Sequence, residues 1–132
     1  MDCFLGTWGL EHSENFDAYM EAVGVGFITR KAAGSLKPDV LISVDGDVYK
    51  VRTESTFKNS EFVFKLGEEF DETTADGRKT KTTVTLENGV LIQFQKWDGK
   101  ESTVTREIKD GKMMTICTMG DVTCERTYIK KK

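Results

Sequence analysis

Residues 96–130 read KWDGKESTVTREIKDGKMMTICTMGDVTCERTYIK and contain the pattern that decides the fold. Asp-Gly pairs at 98/99 and 110/111 and a Gly-Asp pair at 120/121 recur every ten to twelve residues, between segments rich in Thr, Val and Ile. Such pairs tolerate the positive φ that tight hairpins require. The stretch therefore predicts consecutive hairpins, as in an up-and-down antiparallel meander.

The same turn signals continue upstream, at Asp45-Gly46, Asp76-Gly77 and Asn88-Gly89. We predict about ten strands, because five follow residue 77 and end near residue 130, and five others lie near residues 5–12, 39–44, 48–54, 58–66 and 69–74. So many hairpins would leave two exposed edges unless the sheet closed on itself. Closure beyond eight strands opens room for a ligand. The predicted fold is all-β, a ten-stranded antiparallel up-and-down β-barrel with an internal cavity.

One segment, at about 15–35, breaks the strand pattern. Apolar residues at positions 16, 19, 20 and 23 have helical spacing behind a possible Asn15 cap, and Gly24 ends the run. A second short helix runs from Phe27 to Gly34. Both are too short to be stable alone, so we expect a helix-turn-helix lid that packs on one mouth of the barrel. Its apolar stripe is either plain core or ligand contact, and both interpretations can hold together.

Composition narrows the possible functions. The 132 residues fit one domain, 1–132, and the formal net charge of −3 without a large basic block argues against nucleic acid. The N-terminus lacks the features of a signal peptide, and no stretch is apolar for the ~20 residues of a membrane span. We therefore predict a cytoplasmic protein. Three cysteines, Cys3, Cys117 and Cys124, are an odd count that favours reduced thiols over a disulfide framework.

The two-residue turns fix the register of the last four strands, because opposed residues in each hairpin sum to a constant. One face of the last three strands is then mostly apolar and points inward. It carries Arg106 and Arg126, both opposite Thr115, with Cys117 opposite Cys124. Tyr128 lies on the same face, and Gln93 and Gln95 join it through the 98/99 hairpin.

Two interior arginines need an explanation, because a buried unpaired charge costs several kcal/mol. The planar guanidinium of Arg forms paired hydrogen bonds with a carboxylate. Arg106 and Arg126 are therefore candidate ligands for one small anion. The alternative is that a bulge or a longer turn flips a strand and places both arginines outside.

Several stretches resemble the intracellular fatty-acid-binding proteins, closest to the heart, adipocyte and myelin subgroup. They include GTWGL at 6–10, NFDAYM at 15–20, ESTFKN at 54–59, GEEFDETTAD at 67–76 and QKWDG at 95–99. The ending Arg126-Thr127-Tyr128 is similar to the family's Arg-x-Tyr carboxylate motif, with Arg106 as the partner arginine. The resemblance covers essentially the whole chain.

The resemblance implies a carrier that binds and transports a long-chain fatty acid, such as palmitate or oleate, inside the barrel. Arg126 and Tyr128 would contact the carboxylate directly, and Arg106 directly or through water. Thr115 and Cys117 replace aliphatics that are often larger in the family, which bears on chain-length preference. Gln95 lies on the same inner face as these residues. The implied lining of the acyl chain or the portal is Phe16, Tyr19, Met20, Thr29, Ala33, Phe57, Ala75 and Asp76.

Other functions fit the residues less well. A single histidine, His12, leaves no acid, base and nucleophile set, so we predict no enzyme. Neither a cofactor nor a metal site is predicted, since the cysteines lack paired zinc spacing. A retinoic-acid-type carrier of the same wider family is the alternative for the ligand. The Arg30-Lys31 pair suggests transient contact with an acidic membrane surface, and we expect a monomer.

Overall fold

The computed structural model describes residues 2–34, 36–55, 59–74 and 77–131, and most of them belong to one antiparallel sheet. Its ten strands follow the hydrogen-bonded order β4-β3-β2-β1-β10-β9-β8-β7-β6-β5 and form a nearly closed barrel, as predicted. The strands are β1 Gly6–Glu14, β2 Asp39–Asp45, β3 Val48–Glu54, β4 Ser60–Phe64, β5 Phe70–Thr73, β6 Lys79–Glu87, β7 Val90–Trp97, β8 Lys100–Lys109, β9 Lys112–Met119 and β10 Val122–Lys131.

The predicted tight turns form at most hairpins. Asn88, Asp98 and Asp110 each have a positive φ and are each followed by a positive-φ glycine, the geometry of a two-residue hairpin loop. Two predictions need correction. Asp45 pairs with Val48, so the β2–β3 loop is one residue later than predicted. The connection between β5 and β6 is longer than a two-residue loop, because β5 ends at residue 73 and β6 begins at residue 79, and Asp76 of the predicted turn pair lies outside the described residues.

The segment between β1 and β2 folds as the predicted pair of short helices, α1 Phe16–Ala22 and α2 Phe27–Gly34. Asn15 occupies the N-cap position of α1 in a left-handed conformation, but its side chain makes no capping hydrogen bond. Its amide instead donates to the carbonyl of Thr123 on β10, at 3.3 Å. The predicted cap therefore serves to attach the lid to the barrel.

Apolar residues collect in two regions inside the barrel. The larger cluster lies around Phe4, Trp8 and Met113, each of which is at most 1% exposed. The second lies under the lid, where Tyr19 and Met20 pack against a cluster that includes Cys117 and Cys124. Buried polar residues line the space between them. The site described below lies in that space.

Strands β4 and β5 are the two ends of the hydrogen-bonded order and face each other across the remaining gap. Phe70 of β5 stacks on Phe62 and on Phe64 of β4, with ring centroids 5.8 and 6.2 Å apart. Tyr49 of β3 extends this stack by contact with Phe64 at 5.6 Å. Aromatic packing therefore bridges the gap and supplies about 0.5–1.5 kcal/mol per pair beyond area burial.

Candidate ligand-binding site

The interior arginines lie where the turn arithmetic placed them. Thr115 of β9 pairs with Arg126 of β10 on one side and with Arg106 of β8 on the other. Arg126 is only 6% exposed, and its alternation with Cys124 and Tyr128 gives β10 an inward face. The outward alternative is therefore wrong for Arg126. Arg106 lines the same cavity as Arg126 and therefore also faces the interior.

A cavity of about 240 Å³ opens beneath the lid and between the strands. It brings together eleven of the fourteen candidate residues, with the arginines, Thr115 and Tyr128 inside the barrel and the lid residues above them. The three others, Phe57, Ala75 and Asp76, lie outside the described residues. The eleven are Phe16, Tyr19, Met20, Thr29, Ala33, Gln95, Arg106, Thr115, Cys117, Arg126 and Tyr128.

Arg126 is held directly under the lid. Its guanidinium carbon lies 3.8 Å from the centroid of the Phe16 ring, at the start of α1. Such a cation–π contact contributes about 0.5–2 kcal/mol. Its Nε is buried and has no hydrogen-bond partner in the described part of the chain, and the same is true of the neighbouring Thr115 hydroxyl. The site therefore contains donors with unused capacity for an acceptor such as a carboxylate oxygen.

Arg106 differs from Arg126 in its surroundings. Its guanidinium donates a hydrogen bond of 2.8 Å to the side-chain oxygen of Gln93 on β7. Tyr128 lies on the same inner face and is 6% exposed. Burial raises the pKa of the Tyr128 phenol, so its hydroxyl stays protonated and can donate a hydrogen bond. The arrangement offers two cations and a neutral donor around one space.

A buried carboxylate completes the polar lining, and sequence reasoning missed it. Glu72 of β5 is 5% exposed and accepts hydrogen bonds from Thr82 and from the amides of Gln93 and Gln95, at 2.9 to 3.2 Å. The register argument covered only the strands joined by two-residue turns, and β5 is not one of these. Period-two alternation from Phe70, which packs against the core, would have placed Glu72 on the inner face.

The lid is anchored by polar contacts as well as by its apolar stripe. The Tyr19 hydroxyl hydrogen-bonds the Ser102 hydroxyl of β8 in a buried position. Within the lid, Arg30 of α2 donates to Asp17 at 3.2 Å and to the Val25 carbonyl at 2.9 Å. The Arg30 side chain therefore contacts other lid residues, and it is only 14% exposed. It is therefore a poor candidate for the membrane-facing cation that the sequence suggested.

Cys117 and Cys124 are directly opposed on the inner face, as the register predicted, and both are free thiols. A hydrogen bond from Cys124 lowers the pKa of the Cys117 thiol, and the nearby Arg106 and Arg126 act in the same direction. The same hydrogen bond, together with burial, raises the pKa of Cys124. Both belong to the apolar cluster beneath the lid, and Cys117 also lines the cavity.

We expect thiol titration of protein purified without reductant to find three thiols per chain after unfolding. In the native protein, exposed Cys3 should react rapidly and the buried pair slowly, because only an accessible thiolate attacks the reagent. A Cys3→Ser variant should lose the rapid phase alone. A count of one thiol per unfolded chain would contradict the prediction, since it would require a Cys117–Cys124 disulfide.

Within residues 2–34, 36–55, 59–74 and 77–131, no helix combines the length and apolar character needed to span a membrane. The same ranges contain no group of three or more His, Cys, Asp or Glu side chains arranged to hold a metal ion.

An antiparallel barrel with a helical lid and a buried polar site is the architecture of a small lipid-binding protein. Residues 5–131 match the model of the lipocalin / cytosolic fatty-acid binding protein family. The chain belongs to this family. It is 59% identical over 127 residues to the adipocyte fatty acid-binding protein of Pygoscelis papua, with 96% of each chain covered.

Solved structures agree with the family assignment. Echinococcus granulosus fatty-acid-binding protein 1 is 41% identical, with a TM-score of 0.97 and full coverage of both chains. A Schistosoma mansoni fatty acid binding protein in complex with arachidonic acid is 42% identical, with a TM-score of 0.95 over 100% of this chain and 98% of that one. The family consists of fatty-acid-binding carriers, which are not enzymes, and this confirms the predicted non-enzymatic class.

Proposed function

We propose that this protein is an intracellular carrier of long-chain fatty acids such as palmitate or oleate. The observation that carries the proposal is Arg126, which is 6% exposed, faces the cavity and has a buried Nε without a hydrogen-bond partner in the described residues. A buried charge in this state is costly until an anion pairs with it. A fatty acid supplies one carboxylate for the arginine and one alkyl chain for the cavity.

In the proposed complex the carboxylate binds Arg126 and Tyr128, with Arg106 as a further cation. The acyl chain extends along the cavity beneath the lid, against Phe16 and Met20 and the other candidate residues, including Phe57, Ala75 and Asp76. The named ligand of the Schistosoma mansoni structure, arachidonic acid, belongs to the same chemical class and supports this assignment. Thr115 and Cys117 leave more room than larger aliphatics would.

The wider proposal concerns where and how the carrier works. We infer a cytoplasmic monomer formed by a single lipid-binding domain, residues 1–132. Contact with acidic membranes during transfer would use the exposed face of α2, where Phe27 and Ile28 are 62% and 83% exposed beside Lys31. Apolar side chains next to a cation are the groups that bind a lipid interface.

Competition against a fluorescent fatty acid tests the ligand class. We expect palmitate and oleate to displace the probe at sub-micromolar concentrations and to be recovered unchanged after long incubation. Retinoic acid, which also has one carboxylate, is the control ligand. Displacement by retinoic acid far better than by either fatty acid would establish the retinoid alternative instead. A product whose formation depends on His12 would contradict the carrier function itself.

A further inference from the structure

Glu72 is a carboxylate buried inside a cavity that we propose to hold an anion. Its oxygens accept hydrogen bonds from the Thr82 hydroxyl at 2.9 Å and from the amides of Gln93 and Gln95 at 3.0 Å each. All the partners that the described part of the chain gives Glu72 are neutral. Its negative charge is therefore shared with donors but not cancelled by a contacting cation.

The charge of Glu72 affects the two arginines unequally. Gln93 donates to Glu72 through Nε2 and accepts from Arg106 through Oε1, at 2.8 Å. One amide therefore links Glu72 to Arg106 and lets the carboxylate offset part of that positive charge. Arg126 contacts the Phe16 ring instead. The third arginine of the lining, Arg78, lies over the Trp97 ring with its guanidinium carbon 4.5 Å from the centroid.

The orientation of the Gln95 amide shows that the Glu72 carboxylate has an energetic cost. Gln95 turns its Nε2 toward Glu72, and its Oε1 is then buried without a hydrogen-bond partner in the described residues. A neutral, nearly isosteric glutamine at position 72 would fit the same space and keep, through its carbonyl, the three hydrogen bonds that Oε1 accepts, and it would lose only the 3.2 Å bond from Gln93 to Oε2. Packing alone therefore does not explain why residue 72 is a negatively charged glutamate, and we infer a further role for the charge.

We propose that Glu72 is a specificity-determining residue that makes the cavity accept monocarboxylates and reject lipids with a second anionic group. The inference rests on the proposed function, because it concerns which fatty acids that site accepts. A first carboxylate pairs with Arg126, and the charge of Arg106 is already partly offset by Glu72 through Gln93. A second carboxylate in the same cavity would therefore add to the negative charge of Glu72 without gaining a fresh cation from this pair of arginines. Like charges in a poorly solvated space repel strongly, since the effective dielectric constant is far below that of water.

The test compares palmitate with hexadecanedioate, which has the same chain length and a second carboxylate, by titration calorimetry. We expect wild type to bind palmitate at least tenfold more tightly. Glu72→Gln removes the charge with little change of shape, and it should narrow this ratio by about tenfold. Glu72→Asp keeps the charge and should leave the preference for palmitate. Glu125→Gln makes the same change of net charge on the exposed outer face of β10 and should leave the ratio unchanged.

Each other result would overturn the inference. An unchanged ratio of the two affinities in Glu72→Gln would show that the charge does not discriminate between palmitate and hexadecanedioate. Equal narrowing in Glu125→Gln would assign the effect to net charge, and equal narrowing in Glu72→Asp would assign it to shape. Equal affinity of wild type for both ligands would overturn it whether or not the variants fold. Failure of palmitate to bind wild type would contradict the proposed function as well, which separates the two.

Discussion

Replacing Arg126 by glutamine should weaken fatty-acid binding by about 30- to 3000-fold, because removing one partner of a buried charge pair costs ~2 to 5 kcal/mol. About fifteen buried methylenes at ~0.8 kcal/mol each contribute a gross ~12 kcal/mol, of which part is lost to immobilisation. Binding should therefore become weak without vanishing. Arg106→Gln should cost less if water lies between Arg106 and the carboxylate, and its contact with Gln93 already satisfies one of its donors.

The same substitution should not destabilise the ligand-free protein. Arg126→Gln removes the contact with the Phe16 ring, but it also removes a buried guanidinium whose Nε is unpartnered in the described residues. The second effect offsets or exceeds the first, so the free energy of unfolding should stay constant or rise. Calorimetric titration and denaturant melts on the same samples measure both quantities.

Arg52→Gln is the matched control for this experiment. Arg52 is an arginine of β3 whose guanidinium pairs with Glu54 and Glu61 at 2.7 and 2.6 Å and is partly exposed. Solvent screens exposed ion pairs, so both the affinity for fatty acid and the free energy of unfolding should change little. Unchanged affinity in Arg126→Gln, or a loss equal to that in Arg52→Gln, would contradict the proposed carboxylate site.

Replacing Trp8 by alanine should reduce the free energy of unfolding by about 3–5 kcal/mol and leave the affinity for fatty acid nearly unchanged. This is the reverse of the effect expected for Arg126→Gln. Trp8 is 1% exposed, packs in the larger apolar cluster and donates from Nε1 to the Phe4 carbonyl at 2.9 Å. Its loss creates a cavity and leaves that carbonyl without its donor. Denaturant melts of the ligand-free protein measure the loss, and titration under folding conditions should show an affinity within a few-fold of wild type.

Trp97→Ala is the corresponding control, because Trp97 is only partly buried and lies at the end of β7. It should cost clearly less stability than Trp8→Ala. Trp8→Phe, which keeps most of the volume and removes only the N–H donor, should fall between wild type and Trp8→Ala. Equal losses at the two tryptophans would mean that the cluster around Trp8 does not dominate stability.

The inward position of Arg106 and Arg126 was predictable because two-residue turns leave no freedom in register. Glu72 was not reached by the same reasoning, since residues 65–69 and 74–78 connect β5 to its neighbours through longer segments. The contact between Arg106 and Gln93 depends on side-chain rotamers, which backbone register does not specify. The hydrogen bond between Arg30 and Asp17 depends on how α1 and α2 pack against each other. The sequence pattern of two such short helices does not determine their packing.

The position of β4 and β5 at the two ends of the sheet has a consequence for self-association. Any open sheet edge presents unpaired backbone groups that can recruit a strand from another molecule. Here the two edges are short, with five and four residues, and they face each other across stacked phenylalanine rings. Each edge therefore blocks the approach of a foreign strand to the other, which should oppose edge-to-edge aggregation.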